Sequence, residues 1–323
     1  MRRVLAILVV LAHAAIVQAQ TRTATFVFQN NFWLNLHQFV RGEAYRRSVT
    51  ATPGLDPASL NDADRATWIA AVAAYADFAK RDVLFDPALR TINNALVAMR
   101  DAAQLPEGIV DPATTKTLNA AAPIYRAHAW PARQRDNDAW IARARALVEQ
   151  HGAAMSAALA GAYRITWPDE PILVDAVGEI GPNSAITHDG LPGFAAHTQA
   201  GAASPRSTGD APLELLFHEA GHILSVGGRI TAMIDEEAAR QKLEAPRDLW
   251  HQVMMYTPGV VAKRELANTG HPGYRTYGER YPGMPAAVQT AFEQDWLPYL
   301  DGKKPFEQAL HDLVRDTRQQ VPR

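Results

Sequence analysis

Apolar residues at three- and four-residue steps dominate the first half of this chain. Phe32, Leu36, Phe39 and Val40 keep that spacing between Asn30 and Tyr45, which predicts a helix behind a short apolar run from Thr25 to Phe28. Asn61-Asp62 opens an Ala-rich helical segment to about Lys80, and Asp86-Pro87 and Asp111-Pro112 each place a capping carboxylate before a proline suited to a first helical turn. A further helix is predicted from Pro131 to about Ala162, so residues 29–162 read as a helical array. The pattern then changes. Pro171 to Val177 is a β-branched run bounded by Pro168 and Gly178, and shorter extended candidates follow at Ser184–Thr187 and Phe194–Thr198. Helical spacing resumes at Pro212, with breaks expected near Gly227-Gly228, Pro246, Pro258 and Pro282, and an amphipathic stretch from Phe306 to Val314 closes the core. The expected fold is α+β and mostly helical. It comprises a helical N-terminal region over 20–165 and a second region with a small sheet over 166–323.

Composition narrows the chemistry. With 47% hydrophobic and 20% charged residues in 323, the chain buries a large core, which argues against a disordered or low-complexity protein. A net charge of −2 provides no basic footprint for nucleic acid. Cysteine is absent, which excludes disulfides, thiolate-bound zinc, iron–sulfur clusters and thiol nucleophiles; any metal must be held by histidine and carboxylate. Residues 1–19 join Arg2 and Arg3 to an apolar stretch from Val4 to Val17 and end at Ala19, the pattern of a cleaved signal peptide. The mature chain is expected to be secreted or periplasmic, with no retained membrane segment.

His218-Glu219-Ala220-Gly221-His222 follows the helix-forming run Leu213 to Phe217. Four residues of α-helix advance 400°, so the two imidazoles project from one face and can converge on one ion. A carboxylate at the offset of Glu219 reaches water in the open position of such an ion and can accept its proton. No P-loop, dinucleotide fingerprint or G-x-S-x-G elbow competes with this motif.

Through this motif the sequence resembles the zincin metallopeptidases and, more loosely, their gluzincin branch, over roughly residues 170–265. It also resembles a group of uncharacterised secreted bacterial zincin-like proteins through Asn31-Phe32-Trp33-Leu34-Asn35-Leu36-His37, His218 to His222, Leu249-Trp250-His251 and Tyr256-Thr257. The resemblance implies an edge strand beside the active-site helix, bound Zn2+, and a third ligand from a second helix. Ser225 and Gly228 stand where a metzincin would place Gly and His, which excludes that branch. A gluzincin ligand would be Glu236, Glu237, Glu244 or Glu265, although a solvated helix face also explains the first three. His251 is the alternative and the preferred third ligand, 29 residues after His222 in a predicted helix.

Several residues carry two readings. Tyr256 is a candidate oxyanion donor or a packed core tyrosine, and Glu214 either orients His218 or complements the helix dipole. His37 is a candidate to reach the cleft from the N-terminal region, and His188 and His197, flanking the turn Asp189 to Gly193, are candidates for a groove wall; ordinary packing explains each as well. The expected activity is a zinc-dependent hydrolase, foremost a metallopeptidase acting on a peptide or protein. The rivals are a zinc hydrolase of a non-peptide amide or ester, and a binding protein that retains the zincin shell.

Overall fold

The computed structural model describes residues 22–100, 102–180 and 184–318; the expected signal peptide at 1–19 lies outside the described residues. Helix formation in the first half follows local chemistry. In α1 (Phe32–Ser48), α2 (Asp62–Ala74), α3 (Pro87–Val97) and α4 (Pro112–His128), the side chains of Asn31, Asn61, Asp86 and Asp111 accept the backbone N–H two or three residues into each helix. Each such cap is worth about 1 kcal/mol. The long α5 (Trp130–Tyr163) follows directly.

Four short strands form one mixed sheet, β1 (Phe26–Gln29), β2 (Ile172–Val177), β3 (Ala185–His188) and β4 (Ala196–Gly201), in the spatial order β1-β2-β4-β3. β1 and β4 run parallel to β2, with Phe26 and Ala196 both opposite Ile172; β3 is the antiparallel edge, with His188 opposite His197. The β3–β4 turn uses Gly190 at φ 90° and Gly193 at φ 81°, a left-handed region where a Cβ would be strained. The two central strands, β2 and β4, are buried throughout, because helices cover the two faces. The composition change near residue 165 coincides with the end of α5, and the sheet crosses it through the β1–β2 pairing.

The second half continues with α6 (Ala211–Gly221), α7 (Leu224–Arg240), α8 (Leu249–Asn268), α9 (Tyr277–Arg280), α10 (Ala286–Ala291), α11 (Leu297–Leu300) and α12 (Phe306–Arg318). The largest core cluster joins α5, β2, α6, α7, α8 and α12, and a second joins α1, α2 and α4 around Phe39, Trp68 and Tyr125. The described fold is therefore mostly helical α+β with a four-stranded mixed sheet. No helix among the described residues is long and apolar enough to cross a membrane.

Two expected breaks are corrected. α7 runs through Gly227-Gly228, and the chain instead turns at His222-Ile223. A Cβ at Gly227 would stand 2.9 Å from the carbonyl oxygen of Gly221, so that glycine permits a close backbone approach rather than ending a helix. Helix α8 likewise continues through Pro258, with Thr257, Pro258, Gly259, Val261 and Ala262 all buried.

Candidate metal centre

Helix α6 divides its two faces by spacing. Leu213, Leu216, Phe217 and Ala220 are buried at the i, i+3, i+4, i+7 positions, and Phe217 meets Phe26 and Trp167 edge-on at 5.4 and 6.3 Å. The other face, with Glu214, Leu215, His218, Glu219 and His222, lines a cavity of about 450 Å³. The start of α8 brings His251 to the same cavity. Its ring centroid lies 5.2 Å from that of His218 and 5.3 Å from that of His222.

One ring nitrogen from each of the three imidazoles lies within 4.8 Å of the other two. The Nε2 atoms of His218 and His222 are 3.3 Å apart. Two imidazoles on a tetrahedral zinc at ~2.0–2.1 Å would hold their nitrogens roughly 3.3–3.4 Å apart, so this donor pair fits that ion without rearrangement. Burial lowers the pKa of all three, and mutual repulsion lowers it further at His222, to about 3, and at His251, to about 4. They are therefore neutral at pH 7, the state in which a ring nitrogen offers a lone pair.

The orientation of His218 comes from α8. Its Nδ1 lies 3.0 Å from the carbonyl oxygen of Met254, so the N–H donates there and the lone pair is left on Nε2. In a regular helix that carbonyl would accept the N–H of the residue four positions on. That residue is Pro258, which has none. The proline thus frees the acceptor that fixes the imidazole, and His218 satisfies the carbonyl that the proline leaves open.

Glu219 is buried next to this pair, with Oε1 3.9 Å from His218 Nε2. Its Oε2 accepts the Thr187 hydroxyl at 2.7 Å, and Thr187 and Thr198 lie 2.8 Å apart through their hydroxyl oxygens. Since the single Thr187 proton goes to the carboxylate, Thr198 donates to Thr187. This chain ties the edge strand to α6. Burial raises the Glu219 pKa to about 7, against the lowering effect of the Thr187 bond, which places the group where it exchanges protons near neutrality.

The other expected residues fall elsewhere. Tyr256 is outside the lining of this cavity: it lies five residues after His251, hence about 140° around α8, and its ring packs on Phe292 at 4.8 Å. It lines the neighbouring cavity, whose wall also includes His251. Glu237 is bonded to Arg240, Gln241 and His311, Glu265 to His151 at 3.1 Å, and Glu236 and Glu244 are exposed; the three-histidine group includes none of them. Glu214 does not orient His218. It accepts the Tyr274 hydroxyl at 2.5 Å and the Tyr277 N–H at 2.9 Å, and a Cβ on Gly259 would stand 2.8 Å from its Oε1. His37 is fully buried on Tyr75, and His188 and His197 point to the sheet face opposite α6.

The sequence reasoning missed Thr187, the Met254 carbonyl, Leu84, Phe85, Trp250, Arg206, Tyr277 and Arg280, most of which line the cavity. Pro258 was visible, but only as a helix breaker; a proline four residues after a buried position signals a free carbonyl. No family profile, curated protein or solved structure matches the chain.

Proposed function

We propose that the protein is a zinc-dependent hydrolase of the zincin type, foremost a metallopeptidase, exported under the direction of residues 1–19. The carrying observation is the convergence of His218, His222 and His251 within 4.8 Å, with the buried carboxylate of Glu219 alongside. In this reading the three imidazoles hold the ion. Zinc, when bound with one open position, makes water acidic near neutral pH and polarises a carbonyl oxygen. Glu219 takes the proton of the attacking water and returns it to the leaving amine. Thr187 holds the Glu219 carboxylate in place through Oε2, leaving Oε1 toward the histidines. The antiparallel edge strand β3, with Ala185, Ile186 and Thr187 in the cavity wall, offers unpaired backbone on which an extended peptide can lie.

The test is elemental analysis of purified protein together with cleavage of a mixed peptide library. One zinc per chain and Glu219-dependent cleavage are the expected results. A folded chain that retains no divalent metal after mild dialysis would remove the reading altogether. Zinc without cleavage of any peptide would move it to a non-peptide amide or ester. Export is checked separately: N-terminal sequencing of the mature protein should begin at or near Gln20.

A further inference from the structure

Two guanidiniums belong to the wall of the cavity. Arg206 and Arg280 both line it, both are half-buried, and among the described residues no carboxylate comes within 4.0 Å of either. Neutral contacts hold them. Arg206 donates from Nη1 to the Tyr277 hydroxyl at 2.9 Å and stacks 4.8 Å from the Tyr281 ring centroid. Arg280 reaches the Thr276 and Arg206 carbonyls at 3.4 and 3.5 Å and stacks on Tyr281 at 5.6 Å and Tyr274 at 5.9 Å. Each guanidinium has five N–H donors, so most of this capacity is unspent.

Glu214, which lines the same cavity, does not use it. The Glu214 oxygens are committed to Tyr274 and Tyr277, and the other two carboxylates of the lining, Glu219 and Asp248, form no ion pair with either arginine. Ala211, the first residue of α6, lines the same cavity and adds the positive end of a helix dipole. Leu84, Phe85 and Trp250 add apolar surface to the same lining, with Phe85 74% exposed. A second cavity of about 1330 Å³ shares Arg206, His251, Met255 and Tyr277 as walls, so Arg206 stands between the two.

We infer that the substrate carries a carboxylate which Arg206 and Arg280 bind while an apolar side chain next to it rests on Leu84, Phe85 and Trp250. This rests on the hydrolase reading above and adds its substrate class: a peptide presenting a carboxylate a short way from the bond cut. Planar guanidiniums pair with carboxylates through two parallel hydrogen bonds, and stacking on tyrosine rings holds them oriented for it. With Arg206 between the two cavities, a chain-terminal carboxylate is the simpler occupant, because a chain that ends there does not have to pass that side chain.

The test uses three hydroxamates built on one scaffold: a phenylalanine derivative as its free acid, the same compound as its carboxamide, and a glutamate derivative as its carboxamide. Each is titrated calorimetrically into the zinc-loaded and the zinc-free full chain. The free acid should bind the zinc-loaded protein on the order of 30-fold more tightly than the phenylalanine carboxamide. In Arg206→Gln/Arg280→Gln that ratio should fall to near one with the carboxamide unchanged, and Arg206→Lys/Arg280→Lys should keep a smaller preference. Tight binding of the glutamate carboxamide would also support the anion seat and assign it to a side chain. Equal affinity for acid and carboxamides in zinc-loaded protein would overturn the inference while leaving the metal centre standing. Acid preference that survives in a chain unable to hold zinc would uphold the anion seat and reject the hydrolase reading instead. Preference undiminished in the double Gln variant would overturn it as well.

Discussion

The sheet separates two sets of histidines with opposite fates. On the α6 side, His218, His222 and His251 turn ring nitrogens toward one point beside an open cavity, and the His218 Nδ1–H is spent on a backbone carbonyl. On the other side, His197 is fully buried and pairs through Nε2 with Asp175 at 2.8 Å, while Gln29 donates to the same carboxylate oxygen. His188 is opposite it in the ladder, buried, with its pKa lowered to about 4 by desolvation and by Arg90 and His197. Gln199 continues this layer and accepts from Gln38 of α1 at 2.7 Å. Both sets are polar; His188 and His197 are buried, and the cavity-side histidines are half-buried. They differ in whether the nitrogens converge on a shared point with access from solvent or are spent pairwise within the core, and that separates a candidate ligand set from structural polar packing.

Removing one histidine from each set probes this contrast most strongly. His251→Ala leaves two imidazoles, and zinc affinity should fall by several orders of magnitude, read as metal retained after dialysis against a weak chelator. His197→Ala should keep stoichiometric zinc in the folded protein but lower its stability by about 3 kcal/mol, since Asp175 is left buried without that partner. Zinc lost from His197→Ala at unchanged stability would reverse the assignment of the two sets.

Glu219→Gln comes next. Zinc should remain and hydrolysis should fall by roughly 10²–10⁴-fold, because the amide keeps the shape without the basicity. The same change should stabilise the metal-free chain above pH 7. A carboxyl whose pKa rises from 4.5 to about 7 on folding holds its proton better in the native state, so its contribution to stability is present below 4.5 and lost as pH rises through 7. Thermal melts of both proteins at pH 4 and pH 8 check this, with the gap expected only at the higher pH.

Pro258→Ala should act with opposite signs on two readouts. A new N–H at position 258 competes with His218 for the Met254 carbonyl, so zinc affinity should drop by about 10–100-fold while α8 itself is strengthened. Unchanged zinc affinity would mean that the carbonyl serves both donors. The smallest effect expected is on the pH profile. Hydrolysis should fall up to tenfold per pH unit on the acid side of Glu219 ionisation, with a midpoint at or below 7 because a nearby cation favours the carboxylate.

Amino-acid order determined what short-range geometry can determine. Asn31, Asn61, Asp86 and Asp111 begin helices because a capping side chain reaches only two or three residues, and His218 and His222 share a face because four helical residues make little more than one turn. The three strands after residue 165 were legible from β-branched and turn residues, with β3 one residue and β4 two residues later than the spacing predicts. His251 was visible only as one of several candidates, since nothing local relates a residue to another 29 positions away. Tertiary packing decided the rest. It set the Tyr256 ring on Phe292, tied Glu237 and Glu265 to other partners, and set Thr187 against Glu219 from a strand 32 positions earlier. It also made a proline that locally signals a break into the means of freeing the Met254 carbonyl. Periodicity within an element is dictated by backbone geometry, whereas the atom that an exposed donor or freed acceptor meets depends on how separate elements pack, and no local spacing encodes that.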